Sequence, residues 1–543
     1  MSLKDCDTAP TSTLLEDKAD IVFLDGSVIT VNDSFDIEEA IAVKGKRIMR
    51  VGAGADIRGL IGKNTRVIDL RGRSVLPGFE DSHIHFLALA AVENQIDLSD
   101  AKDTDDIVKA VRKKAENTPD SSWLLGRGWD QEKMAWNREY RWPLKEELDT
   151  ASENRPVFLL RICGHIAAVN SKALKIAKID GSTQDPEGGR IDRDGNGMPT
   201  GILREKAIDL VRAHIPLEAL RPSQTDIEHM IDRALANGIT CVEEAGTDRN
   251  GIETYIRLVE ENRLKLRVNL LLNEEMTGEF SAAGMISPYP IRNERLRICG
   301  IKYYADGSLG GRTAALREPY DDDRSNRGIL KTFNELYAIY KKAHSAGLQC
   351  CTHAIGDRAI ERALEANRRS YNDLGLETGT FRDRIEHCQI MDEGLMDEMR
   401  SQKMIASIQF SFAYSDSSWA ESRIGKRIRT SYAWKTLAEK GVRCCGGTDA
   451  PIESFVPLTG MERIITRADN PAQALTLEQA VRLYTSDSAY AQWQEDRLGS
   501  LETGKVADMI VLSEDIMRSE PHRISEIMVD MTLVDGDVVY SRG

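Results

Sequence analysis

Long apolar runs are missing from this chain. No segment of its 543 residues approaches the eighteen uninterrupted apolar positions that suggest a transmembrane helix, so no membrane association is expected. Basic runs are missing as well. The formal net charge is −15, and phosphate binding relies on clustered Lys and Arg, so nucleic acid is not an expected partner. The N-terminal stretch carries Lys4, Asp5, Asp7, Glu16 and Asp17 and lacks an apolar h-region, so no secretory signal is expected. There is no CxxC pair among the nine cysteines. Cys241, Cys299, Cys350, Cys351, Cys444 and Cys445 sit in apolar runs and read as small buried hydrophobes of a reducing, cytoplasmic compartment. Internal repeats and low-complexity tracts are also absent. What remains is an ordinary globular composition, 41% hydrophobic and 29% charged, in a chain long enough for a large core.

Both ends read as strands. Asp20–Leu24, Ser27–Val31, a hairpin across Ile41–Val43 and Arg47–Val51, and Val67–Leu70 occupy the start. Ala507–Leu512, Ile527–Val529, Met531–Val534 and Val538–Tyr540 occupy the end. The middle alternates short apolar runs with helical stretches such as Asn334–Ala346 and Asp357–Tyr371. Eight candidate strands are Val75–His85, Gly238–Val242, Leu264–Leu272, Arg297–Tyr304, Gly347–His353, Arg384–His387, Met404–Gln409 and Gly441–Asp449. The expected fold class is α/β: a distorted (β/α)8 TIM barrel, a composite β-sandwich built from both termini, and an inserted α+β subdomain. The expected division is 1–75 first part of the sandwich, 76–94 first barrel strand and loop, 95–225 insert, 226–490 remainder of the barrel, and 491–543 second part of the sandwich. The insert holds Trp123, Trp129, Trp136 and Trp142.

His83 and His85 flank Ile84. Two residues apart in a strand point to one face, so both imidazoles can reach one cation. A lone HxH is weak evidence. His353, His387 and Asp449, however, also end their own candidate strands. In a parallel barrel those tips share the face where active sites lie. Nitrogen and carboxylate donors converging there suit Zn2+ or a similar divalent ion. Taken singly, each histidine reads as an unrelated surface or core residue; four of nine at strand tips argue against that. Lys302 alternates with Ile301 and Tyr303, and points into the barrel if those two face the helices. A buried lysine is costly unless compensated. CO2 can convert it to an anionic carbamate, or an acidic neighbour such as Asp306 can pair with it; the residues leave both open.

The order HxH, Lys, His, His, Asp resembles the amidohydrolase superfamily. The local text is similar to its YtcJ-like branch, amidohydrolase family 3, which includes N-substituted formamide deformylases. The matching segments are Leu76-Pro-Gly-Phe-Glu-Asp-Ser-His-Ile-His85, Gly126-Arg-Gly-Trp-Asp130, Gly164-His165, Lys302-Tyr-Tyr-Ala-Asp-Gly-Ser308, His353-Ala-Ile-Gly-Asp357, Arg384-Ile-Glu-His387, Gly447-Thr-Asp-Ala-Pro451 and Gly504-Lys-Val-Ala-Asp508. They span nearly the whole chain. Cys163 departs from the pattern, which has Asp before Gly-His.

The resemblance implies hydrolysis of a C–N bond in a small molecule: an amide, formamide or cyclic amide. It implies a carbamate on Lys302 and one or two divalent ions. His83, His85, the carbamate and Asp449 would hold one ion; the carbamate, His353 and His387 would hold a second. Hydroxide produced at such a centre attacks the carbonyl, and Asp449 passes its proton to the leaving nitrogen. His165 is expected to bond the oxyanion. Trp129 and Asp130 are candidate pocket residues, and Arg312 a candidate for a substrate oxygen or a salt bridge. Asp357 is expected to cap a helix, Glu386 to point away from His387 as a structural residue, and Gly504–Asp508 to be scaffold. The competing functions are ester or lactone hydrolysis on the same centre and a non-catalytic binding relative. A homodimer is the base-rate expectation for assembly.

Overall fold

The computed structural model describes residues 18–543 apart from 93–94, 117, 119–121, 132–133, 135–141 and 283–286. The acidic N-terminal residues, Cys6 and Trp136 lie outside the described residues.

Eight parallel strands form one sheet: β1 (Phe79–Ile84), β2 (Ile239–Thr247), β3 (Arg267–Asn273), β4 (Asn293–Tyr304), β5 (Gln349–Ala354), β6 (Arg384–His387), β7 (Ile405–Gln409) and β8 (Cys444–Gly447). Spatial order follows chain order. The two edge strands approach each other: Ser82 Oγ donates to Gly446 O at 2.7 Å, and Asp449 N donates to His83 O at 2.7 Å. The sheet is therefore a nearly closed TIM-like barrel. Alternation along β4 works as expected: Tyr303 packs edge-on against Tyr340 of the helix Phe333–Ser345, and Lys302 takes the inner face. That helix begins with a capping box, Thr332 accepting from Glu335 N.

The expected strand Val75–His85 is in fact two. Ser74–Pro77 joins a six-stranded sheet, pairing with Met509–Leu512 and Ser27–Ile29, and only Phe79–Ile84 enters the barrel. Gly78 sits at the break; a Cβ there would lie 2.1 Å from Thr240 Oγ1. The apolar text runs through both strands, so composition alone hides the change of sheet. Likewise Ile21–Leu24 and Ser27–Ile29 do not pair. The first lies in a four-stranded sheet with Ala40–Lys44, Arg47–Gly52 and Arg66–Asp69; the second lies in the six-stranded sheet. Phe23 and Ile41 of one sheet share a buried cluster with Val75, Met509 and Leu533 of the other.

A further six-stranded sheet lies between β1 and β2 in sequence, with strands from Ile96–Asp97 to Pro199–Glu205 and helices including Thr104–Glu116 and Ser171–Ile176. Among the described residues no helix is long and apolar enough to cross a membrane.

Candidate metal centre

The C-terminal tips of β1 and β8 are locked together, which sets the first part of the site. His85 N donates to Ala450 O at 2.9 Å, and Thr448 Oγ1 donates to Asp81 at 2.6 Å. Gly447 makes the approach possible, since a Cβ there would fall 2.6 Å from His83 N. Asp449 then turns back with φ +57°, and His387 leaves β6 with φ +81°. Such left-handed residues are costly and concentrate where geometry is held for function.

These turns bring His83, His387 and Asp449 together, their ligand atoms all within 4.8 Å of one another and buried. His85 Nε2 lies 3.3 Å from Asp449 Oδ1, and His83 Nε2 lies 3.4 Å from the same oxygen. The His353 and His387 rings are 4.5 Å apart, centroid to centroid. Lys302 Nζ is 3.0 Å from His83 Nε2. All six candidate side chains thus meet at the barrel mouth. Asp306 does not pair with Lys302. Its carboxylate instead accepts Ala315 N at 2.8 Å, Ile355 N at 3.1 Å and Gly356 N at 2.9 Å.

Burial opposes ionisation of Asp449, but hydrogen bonds from His83 and His85 outweigh it and hold the group well below the carboxylate range. Burial pushes His387 down to about 3 and His353 well below its usual value, with Lys302 adding to both. Those two imidazoles are neutral at pH 7, the form a cation needs.

Glu386 overturns one expectation. It does not point away: its carboxylate bonds His83 Nδ1 and accepts Arg384 Nε at 2.9 Å, and Arg384 also pairs with Glu243. Because His387 leaves the regular β conformation, Glu386 and His387 both serve the interior. The adjacency of Glu and His was visible in the sequence; the turn was not.

Above the centre lies a cavity of about 220 Å3. The inserted segment supplies Asp130, Arg161 and His165 to its wall. Asp130 accepts from Arg161 at 2.5 Å, and His165 Nδ1 lies 2.9 Å from Glu205. Two candidates are elsewhere. Trp129 is fully buried in the insert's core, its Nε1–H donating to Leu159 O at 3.0 Å beside Trp142, so it lines no pocket. Arg312 is held by Asp322 at 2.9 Å, outside the cavity over the centre. Asp357 opens the helix Asp357–Leu374, but Gly356 is the cap residue; the Asp357 carboxylate accepts Arg317 N and Arg358 N, both at 2.9 Å. Phe412, Asp416, Trp419 and Gln389 line the cavity without any sequence signal that marked them.

A parallel barrel with imidazoles, a lysine and a carboxylate at its C-terminal mouth defines a metal-dependent hydrolase class of architecture. Comparison places the chain within that class. The model of the amidohydrolase family matches residues 66–540. Bacillus subtilis YtcJ is 33% identical, with 95% of this chain and 98% of that one covered. The N-substituted formamide deformylase of Arthrobacter pascens is 26% identical over 96% of this chain and 98% of its own. The crystal structure of an uncharacterized metal-dependent hydrolase from Pyrococcus furiosus superposes with a TM-score of 0.73 at 28% identity, covering 92% of this chain and 99% of that one. The chain belongs to the amidohydrolase family.

Proposed function

We propose that this chain hydrolyses a C–N bond in a small molecule, an amide, formamide or cyclic amide, at a metal centre held by His83, His85, Lys302, His353, His387 and Asp449. The observation that carries this reading is Lys302. It is 2% exposed, faces an imidazole nitrogen at 3.0 Å, and has no carboxylate at ion-pair distance among the described residues. An ammonium so placed has only the Tyr304 ring, 4.8 Å away, and the Glu386 charge beyond ion-pair distance to offset its burial. A carbamate formed with CO2 removes that cost and supplies anionic oxygens beside four imidazoles. That donor set fits one or two divalent ions, with Zn2+ best suited to it.

A divalent ion bound there lowers the pKa of water toward neutrality and polarises a carbonyl oxygen. Asp449, kept ionised by His83 and His85, accepts the proton of the attacking water and returns it to the leaving nitrogen. His165, oriented by Glu205 at Nδ1, stands in the cavity wall as the side chain that would face the carbonyl oxygen. Asp130 is engaged by Arg161 and shapes the wall. We also read the two terminal sheets as one composite β-sandwich, supported by their common core, and a reducing cytoplasm as the setting that suits the eight free cysteines among the described residues.

The test is turnover of N-formyl amines, N-acyl amines and aryl esters by reconstituted protein, with elemental analysis and labelled bicarbonate alongside. We expect bound zinc, a carbamate carbon signal and hydrolysis of amides. Turnover of esters alone would reassign the chain to ester or lactone hydrolysis. A chain that takes up no metal would overturn the reading.

A further inference from the structure

The cavity extends from the His387 floor along the segment that follows β7. Phe412 packs edge-on against His387, ring centroids 5.9 Å apart. Asp416 follows four residues later at the end of the helix Phe412–Ser415, on the same face and about 6 Å further along its axis. The Asp416 carboxyl group lines the cavity while only 9% exposed. Its Oδ2 accepts the Tyr432 hydroxyl at 2.7 Å, and among the described residues no Lys, Arg or His stands at ion-pair distance. Burial pushes this carboxyl up to about 8; the Tyr432 hydrogen bond opposes the shift, Glu453 and Asp130 add to it, and Arg161 opposes it. Arg161 is itself matched by Asp130 and Glu453 lies 3.5 Å from Arg463, whereas Asp416 has no such cation beside it among the described residues. A second feature points the same way. Gln389, 2% exposed, lines the cavity with a buried Oε1 that has no hydrogen-bond partner. Trp419 adds an aromatic surface beside Gly310.

We propose that the Asp416 end of the cavity receives a cationic, N–H-bearing group of the substrate, an amine, amidine or guanidine separated from the scissile carbonyl by a short apolar or aromatic spacer lying along Phe412. An incoming cation ionises the buried Asp416 carboxyl and pairs with it, and its N–H groups can also reach Gln389; a neutral donor supplies a hydrogen bond without the charge, and an acidic tail adds like charge. The inference rests on the hydrolase reading for the chemistry at the other end of the cavity, but the binding itself does not.

The experiment is calorimetric binding of 2-phenylethylamine and of its neutral isostere 2-phenylethanol to metal-stripped full-length protein, so that the amine cannot bind a metal. The amine is expected to bind about tenfold tighter or more. Asp416→Asn is expected to erase the preference while leaving phenylethanol affinity unchanged; should that variant not fold, Asp416→Ser serves the same purpose. Equal affinities in the unaltered protein overturn the proposal, as does a preference that survives loss of the carboxylate. Amide turnover without amine preference sinks this inference alone. Amine preference without turnover of any carbonyl substrate sinks the hydrolase reading alone.

Discussion

His83 is held on both ring nitrogens. Glu386 takes Nδ1, while Lys302 and Asp449 face Nε2. The Glu386 carboxyl stays ionised although burial opposes it, because Arg384 and His83 outweigh the burial. A carboxylate behind a ligating imidazole fixes its orientation and basicity. Glu386→Gln keeps the shape and removes the charge, so we expect metal affinity to fall about 10–100-fold, measured by chelator competition. Unchanged affinity would mean that His83 needs no support. In the proposed reaction Asp449 has the different task of carrying a proton. We expect Asp449→Asn to keep most of its metal by elemental analysis and to lose about 10²–10⁴-fold in kcat. Undiminished turnover would reject Asp449 as the proton carrier.

At the scale of elements, the C-terminal segment is tied to the barrel by buried charge. Arg267 of β3 bonds Asp508 at 2.6 Å and also pairs with Asp535 at 2.5 Å, and Asp535 N donates to Asp508 at 2.7 Å. Gly504–Asp508 is therefore scaffold with a specific job: it fastens the strand Met509–Leu512 beneath β3 by an ion pair that burial leaves poorly screened. Removing Asp508 leaves Arg267 paired with Asp535 alone, so the cost is expected below the about 3–5 kcal/mol of a fully stranded buried charge. Asp508→Ala should lower the denaturant midpoint accordingly, while the fraction that remains folded keeps its activity per molecule. A variant with an unshifted midpoint would show that this tie contributes nothing.

The whole molecule carries several carboxyl groups whose titration opposes folding at high pH. Burial raises Asp306, Glu243 and Glu244 to about 7 and Asp416 to about 8. In the unfolded chain such groups titrate near about 4. Between those values the folded state binds more protons than the unfolded one, so stability is fully present below about pH 4 for these groups and is lost as pH rises through 7 and 8. Asp535, at about 2, and Asp449 shift the other way and lose their contribution only in acid. A net charge of −15 adds self-repulsion in the same alkaline direction. For metal-free protein we expect the thermal midpoint to peak near about pH 5 and to fall by pH 8; a midpoint that rises across that interval would contradict the assignment of these buried acids.

Periodicity placed seven of the barrel strands within a few residues, and His83, His85, His353, His387 and Asp449 stood out because each lies at the end of a candidate strand, a pattern that needs no tertiary information. The inward aim of Lys302 followed from strand alternation alone. Glu386, Gln389 and Asp416 were not legible. Their roles depend on a left-handed turn at His387 and on which loop lies over the barrel mouth, and side-chain type does not encode either. For Trp129 and Arg312 the sequence left a pocket role open beside a core or salt-bridge one, and packing between segments distant in the chain decided for the core and for Asp322. Local order of residues therefore determined the chemistry available to this protein. Only the closed barrel and the insert covering it decided which groups meet, because burial and proximity arise from long-range contacts.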